Sequence, residues 1–144
     1  KGYVRLLGWG LYSNLADRDT ILTYLSGPLR EPDVVVFEEY RVRPDKALQH
    51  IGSTVPTIEE IGRIKLWCFE RDIVYVAQTA GQAKHRWPSE RIRLHFPELA
   101  MYPSSTKIYA DILNKHQVDA LRHLLTYLEV TQGCEFWAPG LQPI

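Results

Sequence analysis

Two sets of side chains in this sequence have the types and spacing to do chemistry. Glu38 and Glu39 close the run Asp33-Val34-Val35-Val36-Phe37-Glu38-Glu39-Tyr40. Carboxylates at the tip of a strand are rigidly mounted, and ligands of open α/β sheets tend to bind beyond the carboxyl ends of the strands. Both glutamates are therefore candidate metal ligands or acid/base groups, although two acids could equally mark the point where a strand meets solvent. The second set is His116, Asp119 and His123 near the C-terminal end. At 100° per residue they fall within ~60° of one another on a helix, so one helix face offers possible ligands one turn apart.

Basic residues cluster beside both positions. Arg41, Arg43, Lys46 and His50 follow the glutamates, interleaved with Pro44, Gly52 and Pro56, which predicts a basic connecting loop over 41–56. Lys84, His85 and Arg86 precede Trp87 in the stretch 78–87, which is read as the exit from a strand. Cations beside an aromatic ring suit a phosphate backbone, and a helix start carrying surface charge would look alike.

The elements that must position these groups follow from periodicity. Three consecutive valines and Phe37 predict a strand buried on both faces, as in the middle of an α/β sheet. Thr57-Ile58-Glu59-Glu60 matches a capping box with Thr57 at the cap, and Ile58, Ile61, Ile64 and Cys68 recur at helical spacing, predicting a core-covering helix. Asp72 to Ala77 reads as a second buried strand, so that a β-α-β crossover joins the two. A helix is expected from Pro88 to about Phe96, a turn-rich loop from Pro97 to Lys107, and a long helix from about Lys115 to Val130. The apolar stripe of that last helix is Val118, Leu121, Leu124, Leu125 and Leu128. Upstream, Tyr3 to Tyr12 suits a strand and Asp17 to Leu25 a helix stopped by Gly27-Pro28. The last residues, 131–144, read as an extended tail with Phe136 and Trp137 packed down.

Bulk properties narrow the classes. A chain of 144 residues is about one domain, and 17 basic against 17 acidic side chains leave no global field to attract nucleic acid. Any such role rests on local patches. Cys68 and Cys134 fit no metal or redox spacing, which predicts reduced thiols. No apolar run reaches the ~20 residues of a membrane span. A soluble cytoplasmic protein is expected. There is no P-loop and no glycine-rich dinucleotide motif, which weakens the reading of a small-ligand α/β protein.

The strand Val34-Val35-Val36-Phe37-Glu38-Glu39-Tyr40, the segment Thr57 to Lys65 and the motif His116-Gln117-Val118-Asp119-Ala120-Leu121 together resemble the RuvC-like Holliday junction resolvases in their short, phage-encoded form. The resemblance implies an α/β, ribonuclease H-like mixed sheet flanked by helices over residues 1–130, with 131–144 as a tail. It implies a metal-dependent endonuclease that cuts branched DNA, acting as a homodimer. Glu38 matches the strand-end catalytic glutamate of that family, Asp119 the aspartate of its last helix, and His116 a position that carries aspartate or histidine. These three are the expected catalytic and metal-binding residues, with Glu39 a further possible ligand. Two Mg²⁺ or Mn²⁺ ions held by such groups would activate water and stabilise the leaving oxygen. Arg41, Arg43, Lys46, Lys84 and Arg86 are the expected nucleic-acid contacts.

The sequence departs from the family at one place. An Asp-x-Gly motif on the first strand, whose aspartate bridges both metals, has no counterpart here. The expectation is therefore an upstream segment bearing two strands and that aspartate, with the first strands missing or rearranged in these 144 residues. The competing expectation is a ribonuclease H-like module without catalysis that binds nucleic acid or protein.

Overall fold

The computed structural model describes residues 31–50, 56–101 and 112–136. They fall into two compact units, one ending at Ala77 and the other beginning at Gln78. The architecture is mixed α/β. The strand expected over 3–12 and the helix expected over 17–25 lie outside the described residues.

In the first unit, β1 (Val34–Glu38) leads through a 3-10 helix (Pro44–His50) to α1 (Pro56–Glu70) and then to β2 (Val74–Gln78), whose last residue begins the second unit. Among the described residues β1 and β2 pair as a two-stranded parallel sheet, and α1 makes the crossover that a parallel pair requires. The β-α-β unit is thus as the apolar periodicity predicts.

Its burial is not. Val34 to Phe37 are half-buried rather than covered on both faces, and β2 is more open still, with Val74 58% exposed. Among the described residues each strand has a single neighbour, and Phe37 stacks on Tyr75 across the pair at 5.9 Å. The basic connection expected to be a loop carries the 3-10 helix instead. Thr57 falls inside the first turn of α1 rather than at its cap, because Pro56, with no N–H to lose, takes the first helical position.

α1 covers less core than its isoleucines suggest. Trp67 and Cys68 are buried, Ile61 and Ile64 are half-buried, and Ile58 is 47% exposed. Burial pushes the Cys68 thiol above its ordinary range, and both cysteines are free. The helix ends at Glu70, and two residues on Asp72 has a φ of 53°, left-handed backbone that aspartate tolerates better than most residues. The Ile73 N–H then donates to the Cys68 carbonyl at 2.9 Å, turning the chain directly into β2.

The second unit is helical. α2 (Ala80–Arg86) opens on a capping box in which the Thr79 N–H donates to Gln82 Oε1 at 3.0 Å and the Gln82 N–H to Thr79 Oγ1 at 3.4 Å. The stretch 78–87 is therefore a capped helix start rather than a loop leaving a strand. α3 (Ser89–His95) lies one residue inside the expected bounds at each end, with Pro88 and Phe96 as its caps, and α4 (Lys115–Val130) takes the bounds that the pattern predicts. α4 opens on a second box, Asn114 with Gln117.

Trp87, Ile92, Met101, Leu113, Val118, Leu121 and Leu125 form one buried cluster. Met101 and Leu113 bridge in parallel across the residues between them. Phe136 closes the cluster edge-on to Trp87 at 4.8 Å, as expected of the tail, while Trp137 lies outside the described residues. Only the start of the loop expected from Pro97 is described, a turn in which the Leu99 N–H donates to the Phe96 carbonyl. No helix among the described residues is long and apolar enough to cross a membrane.

Candidate functional site

Glu38 is the last residue of β1 and is exposed. A parallel strand places its carboxyl-terminal residue where the next segment turns away, so the carboxylate stands at the sheet's rim. Glu39 follows and is tied to Arg41, whose Nη2 lies 2.8 Å and whose Nε lies 3.0 Å from the same carboxylate oxygen. Arg43 faces Asp45 at 3.2 Å. Of the cations expected to meet a phosphate backbone in this unit, two thus have an acidic partner of their own, and Lys46 is exposed on the 3-10 helix.

His116 and Asp119 lie one turn apart on α4, with His116 exposed and Asp119 half-buried. His123, expected on the same polar face, is buried: its Nδ1 is 3.0 Å from Gln78 Oε1. A wider share of α4 is covered than its leucines mark, and the buried set includes Arg122, Thr126 and Tyr127, while Leu124 of the expected stripe is partly exposed.

Arg122 is the residue that the sequence reading missed. Its guanidinium pairs with Asp119 Oδ1, donates from Nε to the Trp87 carbonyl at 2.9 Å, and donates from Nη2 to Ser89 Oγ. One planar fork therefore fixes the Asp119 carboxylate and the turn between α2 and α3 at once. The i,i+3 spacing of an acid and an arginine was the available signal. Asp119 Oδ2 accepts no hydrogen bond among the described residues.

Lys84, on α2 rather than in a loop, lines an open depression of about 390 Å³ with Ser89, Glu90, Lys115, Asp119 and Arg122. The structure thus brings Lys84 and Asp119 to one site. Arg86 is directed elsewhere, to Glu129 at 3.7 Å. Glu129 also takes two hydrogen bonds from Arg91, and these, with the charge of both arginines, hold its carboxyl below the ordinary range.

Among the described residues, no group of three or more His, Cys, Asp or Glu is arranged to hold a metal ion. The set Glu38, His116 and Asp119 takes its members from both units. Within the second unit, His116 and the unshared oxygen of Asp119 are two donors, short of the ligand number a Mg²⁺ site completes with water and substrate. No family model, curated protein or solved structure matches this chain.

Proposed function

We propose that this chain is a metal-dependent endonuclease acting on branched DNA, of the ribonuclease H-like, RuvC-like type and working as a homodimer. The observation that carries the reading is positional. Glu38 ends a strand of a parallel β-α-β unit, and Asp119 stands one helical turn from His116 with one carboxylate oxygen uncommitted among the described residues. Strand-end glutamate and helix-borne aspartate are the carboxylates that the resemblance implies. Mg²⁺ or Mn²⁺, when bound, would supply activation of water and neutralisation of charge at the scissile phosphate. The chain's own share is to hold the carboxylates still: β1 mounts Glu38, and Arg122 fixes the rotamer of Asp119.

A second reading is a nucleic-acid-binding module without catalysis. Its specific support is the ion pair of Asp119 with buried Arg122, which gives that carboxylate a structural duty, together with the lack of a three-ligand group among the described residues.

Cleavage of a synthetic four-way junction in Mg²⁺ or Mn²⁺ separates the two. The nuclease reading expects product from the wild type and loss of it in Glu38→Gln and in Asp119→Asn. Undiminished cleavage by either variant refutes the site. A wild type that binds the junction and never cuts it leaves the module.

A further inference from the structure

Lys84 and Lys115 both line the depression beside Asp119, and neither makes an ion pair among the described residues. The lining is net positive: Lys84, Lys115 and Arg122 stand against Asp119 and Glu90. Arg122 spends its charge on Asp119, so two ammonium groups face the one exposed carboxylate of Glu90. Ser89 Oγ accepts from Arg122, which leaves its own O–H to donate. Lys115 is the first residue of α4, and the positive end of that 16-residue helix adds to the same field.

We propose that this depression seats one phosphate group of a nucleic-acid strand, held by Lys84, Lys115 and the Ser89 hydroxyl without the help of a metal ion. Ammonium groups bind phosphate as mobile point charges, and a hydroxyl completes the oxygen's hydrogen bonds. The depression is open rather than enclosed, and that favours one kind of ligand. An enclosed pocket covers most of a small molecule's surface, whereas an open one suits a single phosphate of a strand that passes across it. The inference rests on the nucleic-acid reading above for the polymer that carries the phosphate, and is independent of cleavage. It adds Lys115 and Ser89 to the expected contacts and gives Lys84 a defined partner group.

The test is binding of a fluorescein-labelled four-way junction, followed by anisotropy in EDTA over a series of NaCl concentrations. Lys84→Gln and Lys115→Gln are exposed changes that leave the fold intact, which circular dichroism checks. The double variant lowers the slope of log affinity against log salt by about 0.9, the share of one phosphate, and each single variant by no more than that, while Arg93→Gln, outside the depression, leaves the slope unchanged. A double variant with the wild-type slope, or a wild type that does not bind the junction, overturns the assignment. In a second arm, inorganic phosphate is titrated at constant ionic strength while the Ser89 and Lys115 amide resonances are followed. Saturable shifts in the wild type together with an unchanged DNA slope in the double variant make free phosphate the ligand and reject the strand. Because chelator is present throughout, loss of nuclease activity leaves this result standing, and a wild-type slope in the double variant leaves the cleavage experiment unaffected.

Discussion

Arg91 and Glu129, 38 residues apart, meet in a two-point ion pair, with Nη2 2.6 Å from Oε1 and Nη1 3.1 Å from Oε2. The same guanidinium lies over the Trp87 ring, 3.9 Å from its centroid. α3, α4 and the most deeply buried aromatic residue of the second unit are thus joined through one side chain.

Glu129→Gln should cost about 1 to 3 kcal/mol, between the values of exposed and buried pairs, because both partners are mostly covered. The pH dependence has a definite sign. The folded carboxyl titrates below the ordinary value of 4.5, so its contribution is present above that value and disappears as pH falls through the depressed one. Urea unfolding of wild type and variant should differ at neutral pH and converge in acid.

Arg122→Lys should lose about 2 to 4 kcal/mol, since an ammonium cannot reach the Trp87 carbonyl, Ser89 and Asp119 together. Denaturant melts report the loss, and a lysine variant as stable as the wild type would remove the fork from the account of this unit.

Asn114→Ala should destabilise by about 1 to 2 kcal/mol. The side chain is fully buried and its Oδ1 accepts the Gln117 N–H at 3.1 Å, so alanine leaves that donor without its partner. Amide exchange should quicken first at Lys115 to Gln117.

Gly62→Ala should raise stability by about 0.5 to 1 kcal/mol. Gly62 sits inside α1, and a Cβ built on it meets nothing within 4 Å, so the gain in helix propensity has no steric cost. An increase in thermal midpoint is the readout.

The extent of α4 was legible because its signals are local. Val118, Leu121 and Leu125 repeat at helical spacing within a few residues of one another, and they are the buried stripe. The β-α-β order was legible for the same reason, from the valines of β1 and the alternation of isoleucine and charge along α1. Burial was less so. The run Val34 to Phe37 looks the same whether a layer covers its second face or water does, and it is half-buried. His123 reads as a polar neighbour of Asp119 until Gln78, 45 residues earlier, is seen to receive its ring.

The candidate site divides along the same line. The sequence alone determined which chemistry was available: a strand that ends in Glu38, a helix that carries His116 one turn before Asp119, and lysines nearby. Tertiary structure decided which of those groups are engaged. Arg122 reaches Trp87 and Ser89 from 35 and 33 residues away, and in doing so commits one oxygen of Asp119. Folding likewise turned Arg86 toward Glu129 and left Lys84 and Lys115 facing one depression. Side-chain type and spacing are written in the chain, but the partner that neutralises a charge comes from another element, and only packing brings that element within reach.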